Sequence, residues 1–82
     1  MHVRILLFAQ LSELLGQREV SVTVSSPDAT VRDVLDALYA GHPELVSWSS
    51  RLAVAKNESY ARHEDAVHDD DVLALIPPVS GG

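Results

Sequence analysis

Residues 72–76 read Val-Leu-Ala-Leu-Ile, and Pro77 and Pro78 follow at once. Five consecutive apolar residues, bounded by prolines and carrying branched side chains, suit a short strand. Such a run has no polar side to offer water. It therefore predicts a central strand, covered on both faces. The prolines set its end, because each locks φ and neither has an N–H for the ladder. Any fold for this chain must be built around 72–76 and must release the backbone at Ile76.

The other segments supply neighbours for that strand. In residues 2–8, Val3, Ile5 and Leu7 alternate with Arg4, Leu6 and Phe8, the period of a strand whose second face is only partly polar. Leu11, Leu14 and Leu15 share one side of a short helical piece, and Gly16 can close it. Val20, Val22 and Val24 alternate with Ser21, Thr23 and Ser25, a half-buried strand able to pair antiparallel with the first. The strongest helix signal lies in residues 27–43. Thr30 and Asp33 resemble a capping box, Val31, Val34, Leu35, Leu38 and Tyr39 form the apolar stripe, and Gly41 and Pro43 are the expected stop. Residues 44–50 suggest a short helical turn with Leu45 and Trp48 tucked under the sheet. Residues 51–56 read as a strand, 57–59 as a turn, and 60–71 as loop with one weak extended piece. The expected fold is α+β: a β-grasp, ubiquitin-like, with a mixed sheet of four to five strands, one main helix on one face and short extra helical turns. The last strand is expected beside the first and parallel to it. The β-grasp domain is assigned to residues 1–76 and an extended tail to 77–82.

Composition narrows the function. Eighty-two residues make one domain, and the absence of cysteine excludes thiolate metal sites and cysteine nucleophiles. A net charge of −6 argues against nucleic acid and anionic membranes; it suits plain solubility first and a partner with a basic docking surface second. The apolar stretch near Met1 is too short for a signal peptide core or a membrane span, so a cytoplasmic protein is expected. His63, Glu64, Asp65, His68 and Asp69–Asp71 lack the spacing of zinc or calcium sites and are expected to form a solvated loop, with no metal bound. No serine has a visible partner base. The four glycines, at 16, 41, 81 and 82, form no phosphate loop, so ATP is not expected to bind this chain. A single lysine, Lys56, makes ubiquitin-type polymers on this chain an unfavoured use.

The residues Phe8-Ala9, Glu13-Leu14, Gly16, Asn57-Glu58 and "ALIPPVSGG" together resemble the small, sulfur-carrying subunit of molybdopterin synthase, over nearly the whole chain. One position departs from that pattern: Asp70 stands where the family has glycine in an acidic turn. The resemblance implies a cycle. An ATP-dependent adenylyltransferase, similar to ubiquitin activators, adenylates the Gly82 carboxylate. A sulfurtransferase donor then replaces AMP, leaving a thiocarboxylate. The tail enters the active site of a large catalytic subunit and gives sulfur to cyclic pyranopterin monophosphate, in an assembly of two carriers on a dimer of large subunits. On this reading the chain is no enzyme on its own and binds no cofactor.

The tail residues fit such chemistry. Gly81 and Gly82 have no Cβ to obstruct a narrow channel or shield the carbonyl from nucleophiles. Val79 and Ser80 complete the stretch, and Pro77 and Pro78 stiffen its base, which lowers the entropy cost of docking. Six extended residues reach about 20 Å. If Leu7 and Leu75 face the core, Phe8 and Ile76 face outward by strand parity. With Tyr60 they are the candidate partner interface, at positions matching the family's partner-binding residues. Two other functions share these features: a sulfur carrier for thiamine thiazole, cysteine or thiolated tRNA, and a ubiquitin-like module that binds without covalent chemistry.

Overall fold

A computed structural model describes residues 1–78. Its elements run β1 (His2–Leu7), α1 (Gln10–Leu15), β2 (Glu19–Thr23), α2 (Val31–Gly41), a 3-10 helix (Pro43–Arg51), β3 (Ala53–Lys56), β4 (Ser59–Tyr60) and β5 (Val72–Ile76). The five strands form one mixed sheet in the order β2-β1-β5-β3-β4, so β5 is the middle strand. It runs parallel to β1, with Ile5 opposite Leu73 and Leu7 opposite Leu75, and antiparallel to β3, with Val54 opposite Leu75. β1 pairs antiparallel with β2, Ile5 facing Val20. This is the β-grasp expected from the sequence, with the apolar final strand at its centre.

Strand parity divides the sheet cleanly. Val3, Ile5, Leu7, Val20, Val22, Val54, Leu73 and Leu75 are buried, and they share a core with Val31, Val34, Leu35 and Leu38 of α2. α2 begins where the sequence placed it. Asp33 N–H donates to Thr30 Oγ1 at 3.4 Å, and Thr30 N–H donates to Asp33 Oδ2 at 2.9 Å, a reciprocal capping box. Two further free donors of its first turn, the N–H groups of Val31 and Arg32, are satisfied at 2.9 Å by the carbonyls of Asp65 and His63. The 60–71 loop is thereby fixed to the helix.

Several local expectations are corrected. Gly41 does not stop α2 as a left-handed cap; it is the last helical residue and His42 is the cap, its N–H donating to Leu38 O at 2.9 Å. The short turn expected at 44–50 is a nine-residue 3-10 helix, started by Pro43 and anchored by the fully buried Leu45, with Trp48 half-buried. Leu14 does not share the buried side of α1: Leu11 is buried, whereas Leu14 is 45% exposed. In so short a helix Leu11 enters the core and Leu15 packs at its edge, while Leu14 turns outward. Finally, β5 is central but covered on one face only. Leu73 and Leu75 meet α2's layer, while Val72, Ala74 and Ile76 are half-buried on the other side.

Candidate functional site

That uncovered side is the most informative surface of the molecule. Register places Leu6 opposite Ala74, Ala74 opposite Ala55, and Ala55 opposite Tyr60, a row of apolar side chains across four strands. Ile76 lies opposite Ala53 in the next row. Phe8 follows Leu7 as Ile76 follows Leu75, at the end where the chain leaves β5. Phe8 is 47% and Tyr60 82% exposed, and Ile76 is half-buried. The three candidate interface residues thus share one sheet face, with small alanines between them. Leu6, Ala53, Ala55 and Ala74 belong to the same face and were not singled out from sequence. The even positions of the apolar run and the partner strand's alanines were the available signal.

Both ends of this face are firmly held. At the tail end Pro77 is buried and Pro78 exposed, so the tail's first proline packs against the domain. Tail residues Val79, Ser80, Gly81 and Gly82, the positions the sequence reading marks for chemistry, lie outside the described residues. Next to Phe8 the backbone reverses sharply into α1. Ala9 takes φ 50° and ψ −125°, a conformation that favours glycine, while Ser12 Oγ donates to Ala9 O at 2.8 Å and Gly16 closes α1 with φ 69°.

At the opposite end, Asp70 takes φ 68°, so aspartate does occupy the left-handed region that glycine fills in the family pattern. Hydrogen bonds hold it there. Asp70 N–H donates to His2 O at 2.7 Å, His68 N–H to Asp71 Oδ2 at 2.8 Å, and Asn57 Nδ2 to Asp71 Oδ1 at 3.3 Å. The start of β5 is therefore pinned to the start of β1 and to the β3–β4 turn.

Charge is distributed unevenly along the sheet. Glu58 and Asp69–Asp71 gather at the end where β5 begins, away from the tail. Lys56, beside them, is occupied by a 2.8 Å bond to Ala66 O. Among the described residues, no group of three or more His, Asp or Glu side chains is placed to hold a metal, and no helix is long and apolar enough to cross a membrane. On the helix layer, burial and the nearby Asp36 carboxylate push the Tyr39 phenol above its ordinary value of 10.0.

Known proteins share this arrangement. The family profile described as the ThiS family matches residues 5–82. Small archaeal modifier protein 1 of Haloferax volcanii is 44% identical, over 93% of this chain and 95% of its own. The molybdopterin synthase sulfur carrier subunit of Chlamydomonas reinhardtii is 36% identical over the whole of both chains. The crystal structure of SAMP1 from Haloferax volcanii superposes with a TM-score of 0.92 at 41% identity, covering all of each chain.

Proposed function

The chain belongs to the ThiS family, and from that premise we propose that it is the sulfur-carrier subunit of a molybdopterin synthase. The observation that carries the reading is the geometry of β5. One strand packs the core with Leu73 and Leu75, presents Val72, Ala74 and Ile76 on an uncovered apolar face, and runs straight into Pro77 and the tail. A partner that covers the outer face receives the tail at a fixed place. The full-length likeness to the Chlamydomonas carrier subunit supports the same assignment.

In this proposal residues 1–76 are the docking body and 77–82 the working tail. An adenylyltransferase joins the Gly82 carboxylate to AMP from ATP, releasing pyrophosphate. Sulfur from a sulfurtransferase donor displaces AMP, and the resulting thiocarboxylate is carried into a large catalytic subunit. There it supplies sulfur to cyclic pyranopterin monophosphate. Phe8, Tyr60 and Ile76 contact that subunit, and the cycle runs in the cytoplasm. The carrier's contribution is covalent reactivity at Gly82 and docking geometry. Adenylation and sulfur transfer are catalysed by its partners.

A second reading has its own support. The 44% identical relative is named a modifier protein, and an activated Gly82 carboxyl can be attacked by a protein amine as well as by sulfur. The deciding experiment is intact-mass measurement after incubating the untagged chain with ATP, the cognate activating enzyme and a sulfur source. The carrier reading expects a mass gain equal to exchanging one oxygen for sulfur, mapped to Gly82 and lost when Gly82 is deleted. No gain, with an activator that works on a control carrier, refutes it. Gly-Gly remnants from this chain on lysines of other proteins would establish the modifier reading.

A further inference from the structure

A cleft of about 390 Å³ opens at the tail end of the sheet, lined by Leu6, Leu7, Phe8, Ala9, Ser12 and Arg18. Leu6 and Phe8 also belong to the apolar outer face, so the cleft continues that face toward the start of β2. Arg18 supplies its only charge. Its backbone is fixed, since Arg18 O accepts from Leu7 N–H at 2.8 Å. Its guanidinium makes no hydrogen bond or ion pair among the described residues. Arg4, the neighbouring cation, is already committed to Glu19 through bonds of 3.2 and 2.9 Å.

In a chain with a net charge of −6, an unpaired guanidinium beside half-buried Leu6 and exposed Phe8 is the local exception. Matching the net charge would call for a basic partner. The acids, however, include Glu58 and Asp69–Asp71 at the far end of the sheet, and Asp33 and Asp36 on the helix layer. At the tail end Glu19, opposite Leu6, is held by Arg4, and Glu13 on α1 does not line the cleft, so the charge left unpaired within the cleft is Arg18. We propose that the cleft receives an acidic side chain from the protein that takes the tail. Its carboxylate pairs with Arg18 and its neighbouring apolar atoms pack on Leu6 and Phe8. Arginine suits this because its planar fork pairs with a carboxylate through two parallel bonds and its stem tolerates apolar contact. An exposed charge of this kind acts mainly on encounter rate and orientation. An acidic patch at the mouth of the partner's site attracts the Arg18 end and repels the acidic far end, so the carrier arrives tail first.

The proposal rests on the carrier reading, and the test separates the two. Association of the full chain with the large subunit from the same organism is measured at about 0.05 M and about 0.5 M salt, for wild type, Arg18→Gln and Arg18→Glu. Melting curves confirm that each variant is folded. Arg18→Glu is expected to slow association about tenfold at low salt, with the gap closing to within about twofold at high salt and Arg18→Gln falling between. Ser12→Phe, which fills the cleft without touching the charge, is expected to weaken binding at both salt concentrations. Wild-type binding with Arg18→Glu unchanged, or with a gap that ignores salt, overturns the proposal and leaves the carrier reading standing. A wild-type chain that does not bind the large subunit overturns both.

Discussion

Replacing Glu58 by glycine is expected to stabilise this domain, although the change removes a whole side chain. Asn57 and Glu58 form the two-residue loop between β3 and β4, flanked by the Lys56–Ser59 pair, with φ of 49° and 76°. Two positive φ values in such a loop define a type I′ turn, whose favoured sequence is Asn-Gly. A non-glycine residue in the left-handed region costs roughly 1–2 kcal/mol. Glycine in turn loosens the unfolded chain at a cost of about 0.4–1 kcal/mol. The difference leaves a gain of about 0.5–1 kcal/mol for Glu58→Gly. In a domain of this size that raises the melting temperature by roughly 3–6 °C. Asp70 provides the internal contrast. It has nearly the same φ, 68°, but aspartate tolerates this region better than glutamate does. Asp70→Gly should therefore change stability by less than about 0.5 kcal/mol, while Asp70→Ala should lose about 1 kcal/mol. Urea unfolding with an unchanged slope measures all three. If Glu58→Gly is neutral or destabilising, or if Asp70→Gly gains as much as Glu58→Gly, turn strain does not govern these positions.

Tyr60 is 82% exposed, so Tyr60→Ala should alter stability by no more than about 0.5 kcal/mol. If the outer face docks the large subunit, the same change should weaken binding about tenfold or more, read by calorimetry, and unchanged affinity would remove Tyr60 from the interface. Leu73 is fully buried opposite Ile5. Leu73→Ala should cost about 2–5 kcal/mol, a large share of the roughly 4–12 kcal/mol available to a domain this small, and urea unfolding will show it. The Tyr39 phenol, raised by burial and then by Asp36, ionises in the unfolded chain near 10.0 and later in the folded one. Its contribution is complete below pH 10 and is lost as pH rises through the folded value. Tyr39→Phe should therefore flatten the fall in stability above about pH 10, measured by urea unfolding at successive pH values.

What could be read from the sequence was what local chemistry dictates. Alternation in β1 and β2 gives the buried face residue by residue, and Thr30 with Asp33 marks the start of α2 to the exact position. The central place of β5 and its parallel pairing with β1 followed from its continuous apolar character. The failures came where tertiary contacts decide. Leu14 has the right spacing for the core, but a six-residue helix turns it outward. Pro43 and buried Leu45 organise a 3-10 helix that no periodicity in residues 44–50 announces. At the site, parity placed Phe8 and Ile76 on the outer face, whereas Arg18 carried no signal: a single arginine before a strand has no pattern to betray it.

The most useful error concerns β5 itself. A strand with no polar face was expected to be covered on both sides, and the chain covers only one. Its inner residues are explained by the core. Val72, Ala74 and Ile76 are not, because a strand that merely closed a monomeric sheet would carry polar residues there, as β2 does with Glu19, Ser21 and Thr23. β2 is the edge strand and β5 the central one, so neighbouring strands shield part of β5's outer face, yet Val72, Ala74 and Ile76 stay partly exposed there. That partly exposed apolar row is the face the proposed docking uses. Because alternate side chains point to opposite faces, outer positions of β5 can be changed without opening the core. The strand that fixes where the tail begins therefore also lets docking be separated experimentally from folding.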